Sequence, residues 1–180
     1  MKIVELRPPF AAGELKRFHA GDLVTISGVV ATARDKAYQR VVSEEKFPVD
    51  VKGGVVYHCG PLAVRRGERW EILSAGPTTS ARLDSMEGEF IKKTGVRAIV
   101  GKGGVGEEVA KKMKELGCIY LAFPGGAGVL AAEKIEGVEK VLWEELGAAE
   151  AVWVLKVKDF GPLVVAVDLH GGNIYSRRNF

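Results

Sequence analysis

Residues 96–123 read VRAIVGKGGVGEEVAKKMKELGCIYLAF, and this stretch decides the fold class. Two apolar runs, 96–100 and 118–123, flank a glycine turn and a helix-like segment at 106–116. Each run is too short for a buried helix and of ordinary strand length. Strands joined through a helix pair in parallel, because the crossover must return the chain to the same end of the sheet. A strand-like run at 69–75 and a helix-like segment at 79–93 precede them, so strand and helix alternate through this half. That order predicts an α/β fold, a mixed sheet with crossover helices.

Working outward, residues 2–7 alternate Ile3, Glu5 and Arg7 with Val4 and Leu6, an opening strand closed by Pro8-Pro9. Leu23 to Val30 is rich in β-branched residues and predicts a second strand. Residues 33–45 turn polar and helical, and Val55-Val56-Tyr57-His58 is a short strand ending at Cys59-Gly60-Pro61. Towards the C-terminus, Gly125-Gly126-Ala127-Gly128 makes a glycine turn before a helix, where small residues serve close packing. Two further strands, 151–158 and 162–168, hinge on Phe160-Gly161-Pro162. Asp168 to Asn173 reads as a hairpin turn between strands. With no internal repeat, low-complexity segment or linker, one domain over residues 1–180 is expected.

The 180 residues are 47% hydrophobic and 27% charged, which places the chain with folded globular proteins. A net charge of +3 is too mild for a nucleic-acid grip. Arg65-Arg66 with Arg69, and Arg177-Arg178, read as solvated loop and terminal charges. No apolar stretch reaches the roughly 18–20 residues of a membrane helix, and Met1 to Glu5 lacks a leader pattern, so a cytoplasmic address is expected. Cys59 and Cys118 stand far apart without a nearby histidine, too few thiolates for a cubane cluster or a zinc site. Any such metal would come from another chain. His58 and His170 are each isolated and read as structural.

Three segments put a basic residue where strands end or helices begin: Ala31 to Asp35 with Arg34, Gly76 to Arg82, and Gly101 to Gly104 with Lys102. Strand ends feeding helix starts are the usual ligand edge of α/β sheets, and helix N-termini favour anions. Converging there, Arg34, Arg82 and Lys102 would suit a small substrate with two carboxylates. In Gly76-Pro77-Thr78-Thr79-Ser80-Ala81-Arg82, Thr78, Thr79 or Ser80 could cap the following helix, with Arg82 one turn beyond Thr78. Gly101 to Gly106 is formally G-x-G-x-x-G, yet the next strand runs out at Ala122-Phe123-Pro124 without the acidic residue a dinucleotide site needs. It reads as a turn exposing Lys102.

These residues resemble the beta subunit, or fused C-terminal domain, of class I fumarate hydratases and the related L(+)-tartrate dehydratases. The motifs that carry the resemblance are Thr32-Ala33-Arg34-Asp35, Cys59-Gly60-Pro61, Gly76 to Asp84, Gly101-Lys102-Gly103, Phe123 to Gly126, Trp143 to Gly147 and Val157 to Pro162. They span nearly the whole chain. The resemblance implies a swivelling β/β/α domain that packs against a separate cluster-binding alpha subunit in a hetero-oligomer. It implies reversible hydration of fumarate to malate, or dehydration of tartrate, with a 4Fe–4S cluster held by the partner and no metal ligand here. Arg34, Arg82 and Lys102 would then bind substrate oxygens, and Thr78 would take the C3 proton. An ordinary threonine hydroxyl is far too weak an acid for that, so Arg82 or Lys102 would have to stabilise its alkoxide, or Thr78 would relay a proton. A stand-alone anion-binding or regulatory module without chemistry is the alternative.

Overall fold

Strands that are apolar on both faces need cover on both faces, and the fold follows from that demand. A computed structural model describes residues 2–176. The chain runs β1 (Ile3–Leu6), β2 (Leu23–Thr32), α1 (Asp35–Val42), β3 (Val55–Tyr57), β4 (Leu62–Arg66), β5 (Arg69–Ser74), α2 (Asp84–Thr94) and β6 (Ala98–Gly101). It continues through α3 (Glu107–Leu116), β7 (Ile119–Ala122), α4 (Gly128–Glu133), β8 (Ile135–Leu142) and β9 (Val152–Val167). A seven-stranded mixed sheet has the order β1-β2-β3-β6-β7-β9-β8, and β4 and β5 form a separate hairpin. Strands β1, β2, β3, β6 and β7 are mutually parallel. Strand β9 runs antiparallel to β2, β7 and β8, and because it pairs with both β7 and β2 the sheet closes on itself.

Side-chain alternation sorts the core into two layers. Val55, Tyr57, Ala98, Val100, Ile119 and Leu121 point inward against Trp153, Leu155, Val157, Phe160, Leu163 and Val165 of β9. Val56, Ile99 and Tyr120, the intervening residues, pack instead on the helices. The helix side is built at helical spacing: Ala37, Tyr38 and Val41 from α1, Phe90 and Ile91 from α2, Val109 and Met113 from α3. Gly95 and Gly117 end α2 and α3 in the left-handed conformation that glycine adopts without strain. The result is helices on parallel strands on an antiparallel return, with the carboxyl ends of β2, β3 and β6 on one edge.

Several expectations need correction. The 33–45 helix is confined to α1, and the 79–93 helix divides into a 3-10 turn at Ser80–Leu83 followed by α2. The strands expected at 151–158 and 162–168 are one, β9, because β2 pairs along both halves, from Ala31 with Val154 to Leu23 with Val164. Strands β4 and β8 went unread. Arg65 and Arg66 are exposed as expected, yet they lie on β4, paired across the hairpin with Trp70 and Arg69. The 168–173 turn forms, with Val167 bridged to Asn173, but the following residues up to 176 make no strand. Arg177-Arg178 lie outside the described residues. No helix among the described residues is long and apolar enough to cross a membrane.

Candidate functional site

Arg34 leaves the end of β2 in an extended conformation and begins α1. Its Nε lies 3.7 Å from a Glu150 carboxylate oxygen, and that carboxylate also accepts the Lys36 backbone N–H at 3.0 Å. Gly60 lets the guanidinium settle: a Cβ there would stand 2.7 Å from Arg34 Nη1 and collide with the Ala149 carbonyl. Arg34 Nε is nevertheless buried without a hydrogen bond. A buried donor left over in a folded protein calls for an acceptor from elsewhere.

The Gly76–Thr79 segment is extended, and the helix that follows opens as a 3-10 turn at Ser80. The extended segment lies as an extra rung between the ends of β3 and β6. Pro77 bridges antiparallel to Cys59, and Thr79 bridges parallel to Lys102. The Thr78 N–H donates to the His58 carbonyl at 2.7 Å, and the Ser80 N–H donates to the Lys102 carbonyl at 3.1 Å. Thr78 and Lys102 are therefore brought to neighbouring rungs, both part-exposed. Thr79 takes the N-cap position of the 3-10 turn, but no side chain makes the capping hydrogen bond, and the Ser80 hydroxyl turns into the core instead. A buried imidazole nitrogen needs a partner more than a solvated helix end does.

Arg82 also departs from expectation. It is not stacked one helical turn above Thr78 but reaches across to α1, where Nη2 donates to Asp35 Oδ2 at 2.7 Å. The Arg82 side chain is 53% exposed and Asp35 26%. Asp35 thus joins Arg34's end of α1 to the Arg82 turn. The sequence sets Asp35 beside Arg34 but carries no sign of its pairing with Arg82. Asp84 belongs here as well: its Oδ2 accepts the Gly106 N–H at 2.8 Å, while Oδ1 is buried without a partner. Burial raises the Asp84 carboxyl above its ordinary range.

Beneath the rung lies a set of buried polar side chains that sequence reasoning missed. His58 is not isolated. Its Nε2 meets Tyr38 Oη at 2.7 Å and its Nδ1 meets Ser80 Oγ at 2.8 Å. Tyr38 donates to Glu87 Oε1 at 2.9 Å, and Tyr120 donates to Ser80 Oγ at 2.8 Å. His58, Ser80, Glu87, Tyr38 and Tyr120 are all fully buried. Burial pushes the Glu87 carboxyl up to about 8, against the pull of the Tyr38 hydrogen bond. Burial likewise pushes His58 down to about 3, against the nearby Asp35 charge. The 3.4 Å approach of Glu87 Oε2 to His58 Nε2 is therefore a contact between neutral groups rather than an ion pair. The only signal in the sequence was a histidine at a strand end, which cannot announce partners from three other elements.

The other two histidines and the thiols have other roles. His170 Nε2 meets the Lys16 carbonyl at 2.6 Å and its ring stacks on His19 at 4.4 Å, a packing contact. Cys59 and Cys118 are buried in different core layers. Burial pushes Cys59 up to about 12 and Cys118 well above its ordinary range, so neither is poised as a thiolate. Among the described residues no group of three or more His, Cys, Asp or Glu side chains is set to hold a metal. Gly128 packs on Gly76, its carbonyl accepting the Ala75 N–H at 2.9 Å, as close packing predicts.

Known proteins are similar to this chain over most of its length. An L(+)-tartrate dehydratase subunit beta of Escherichia coli K12 is 41% identical over 170 residues, covering 94% of this chain and 85% of that one. A putative L(+)-tartrate dehydratase subunit beta of Methanocaldococcus jannaschii is 44% identical over 171 residues, 92% of this chain and 88% of its own. A putative fumarate hydratase class I of Geobacillus stearothermophilus is 39% identical over 175 residues, 97% of this chain and 34% of that longer protein. The family described as Fumarase C-terminus matches residues 1–178, and the chain belongs to it.

Proposed function

We propose that this chain is the carboxylate-binding half of a hydro-lyase that interconverts fumarate and (S)-malate together with a cluster-bearing alpha subunit. The observation that carries the reading is the gathering of Arg34, Thr78 and Lys102 at the ends of β2, β3 and β6, with Arg34 Nε buried without a hydrogen bond, 3.7 Å from the Glu150 carboxylate. A carboxylate offers the acceptor that Nε lacks. Lys102 and Arg82 supply charge for the second carboxylate and for the negative charge that develops at C3. In the dehydration direction the Thr78 alkoxide takes the C3 proton, and the C3–H electron pair forms the C2–C3 double bond as the C2–O bond breaks. The departing hydroxide takes a proton from solvent to leave as water, while Thr78 returns its own to solvent. The Thr78 hydroxyl becomes competent because Lys102 stands on the adjoining rung to stabilise its alkoxide.

The buried, proton-holding thiols of Cys59 and Cys118 do not suit a 4Fe–4S cluster, so the cluster belongs to the partner. Exposed Leu62, Leu73, Val129 and Leu130 lie on β4, β5 and α4, beside Gly76, and support a partner surface next to the site. A swivel of this chain against that partner would close the site over substrate. The names of the E. coli and M. jannaschii relatives favour L(+)-tartrate as the alternative substrate for the same half-site.

The test is anaerobic co-expression with the candidate alpha subunit, followed by fumarate and L(+)-tartrate turnover with and without this chain. Turnover that needs both chains and collapses in Arg82→Ala and Lys102→Ala is expected, and the faster acid names the enzyme. No turnover of either acid by a fully cluster-loaded pair would instead leave an anion-binding module.

A further inference from the structure

A core of apolar side chains would be simpler and at least as stable as one holding a histidine, a glutamate, a serine and two tyrosines. Among the described residues the buried polar or charged side chains are Ser27, Thr32, His58, Ser80, Glu87 and Asp168. His58, Ser80 and Glu87 belong to the chain of hydrogen bonds under the Thr78 rung. Their placement has a pattern. Tyr38 comes from α1, which begins at Arg34. Glu87 comes from α2, which continues the turn that carries Arg82. His58 lies at the end of β3, and its carbonyl holds the Thr78 N–H. Ser80 stands between Thr78 and Arg82, its N–H bound to the Lys102 carbonyl. Tyr120 lies on β7, paired with β6, which ends at Lys102. Each element that carries a site residue is tied to this chain or bonded to one that is.

One assignment of donors threads the whole line. With Tyr38 donating to Glu87 Oε1, Tyr38 accepts from His58 Nε2–H. His58 Nδ1 is then an acceptor, Ser80 donates to it, and Ser80 Oγ accepts from Tyr120. In that assignment every donor runs the same way, from Tyr120 to Glu87, and Glu87 Oε2 is left buried without a hydrogen bond, 3.4 Å from His58 Nε2. Such a chain holds rotamers and tautomer together, as a rigid site requires.

We propose that His58, Ser80 and Glu87 are positioning residues that fix the Thr78–Arg82 turn against Lys102 and Arg34 through one unidirectional hydrogen-bond chain. The proposal rests on the hydro-lyase reading for its catalytic consequence, but not for its structural one. Both are measured in the two-subunit enzyme. Ser80→Ala removes the link between His58 and Tyr120; Tyr120→Phe removes one hydroxyl and is the gentler variant if Ser80→Ala folds poorly. Hydrogen exchange should quicken first at residues 76–83 and 101–104, while the sheet keeps its protection. The kcat for fumarate or tartrate should fall about tenfold or more, with KM moving less than about threefold. Nitrogen-15 spectra of the His58 ring should show a neutral ring protonated at Nε2, unchanged between pH 5 and 9.

A uniform rise in exchange, or a kcat within twofold of wild type in both variants, would reduce the chain to core packing and overturn the inference. A His58 ring protonated at Nδ1 would overturn its direction. Local exchange loss in a pair that turns over neither acid would keep the positioning chain and sink the hydro-lyase reading instead.

Discussion

Lys102 and Thr78 occupy adjoining rungs, and the removal of either should show in kcat. Lys102 serves a substrate carboxylate as well as the Thr78 alkoxide and the charge developing at C3, so Lys102→Ala should lower kcat by about a hundredfold or more and raise KM as well. Thr78 is asked to move a proton, so Thr78→Ala should lower kcat by about a hundredfold or more while Thr78→Ser retains much of it. Full activity in Thr78→Ser together with a small loss in Thr78→Ala would remove Thr78 from proton transfer. Gly101 is the third informative residue, and its need for glycine is steric. An added Cβ would run into Ser80 Oγ, with Tyr120 Oη 2.9 Å and His58 Nδ1 3.1 Å away. Gly101→Ala should therefore cost about 1–3 kcal/mol by overpacking and depress turnover, read from denaturant midpoint and kcat together. At this scale the strand-end placing of Arg34 and Lys102 was legible, because a basic residue where an apolar run gives way to a turn or helix is a local pattern. Arg82's attachment to Asp35 and the buried partners of His58 were not legible, since they depend on elements meeting in space.

Among elements, legibility followed cover. Strands β2, β3, β6 and β7 lie in the middle of the sheet and read as apolar runs. Strand β8 is an edge strand whose Glu136, Gly137, Glu139 and Lys140 break the alternation, and its pairing with β9 shifts register twice. Charge and irregularity at a sheet edge discourage unwanted pairing, and they also hide the strand from pattern reading. Strand β9 was split in two because Gly161-Pro162 reads as a break, yet the β2 ladder carries the backbone through it. Gly161 has φ near +144°, and a Cβ there would stand 2.9 Å from the Leu163 nitrogen and 3.0 Å from the Val24 carbonyl. Gly161→Ala should thus destabilise the protein by about 1–3 kcal/mol, since neither backbone atom can give way. A urea midpoint equal to wild type would mean that the β2–β9 ladder relaxes there. Phe160 next to it, 5.2 Å from both Tyr57 and Phe123 rings, should cost about 3–5 kcal/mol as Phe160→Ala.

For the molecule as a whole, the buried His58–Glu87 pair should shape how stability depends on pH. Glu87 is faced by Tyr38 from α1, His58 from the end of β3, Cys118 and Tyr120 at β7, and Asp84 on its own helix, while Asp35 bears on His58. The ordinary glutamate value is 4.5 and the folded one about 8, so between them the folded state holds a proton that the unfolded chain has lost. Stability from this group is therefore complete below 4.5 and falls as pH rises to about 8, by up to about 1.4 kcal/mol per unit. For His58 the ordinary value is 6.5 and the folded one about 3, so there the unfolded chain holds the extra proton. That contribution is complete above 6.5 and is lost as pH falls towards 3. Between 4.5 and 6.5 the two slopes oppose and cancel, which leaves the pair's optimum in that window. Asp84, raised by burial from 3.8, adds a loss as pH rises from that value, and Asp168, held low by backbone N–H groups against its burial, adds to the loss in acid. The pair's own share is isolated by comparing variants. Glu87→Gln should be less sensitive than wild type to a change from pH 6.5 to 8, and His58→Gln less sensitive to a change from 4.5 to 3.5. Urea midpoints that move in parallel for wild type and both variants would show that neither buried group changes its proton on unfolding.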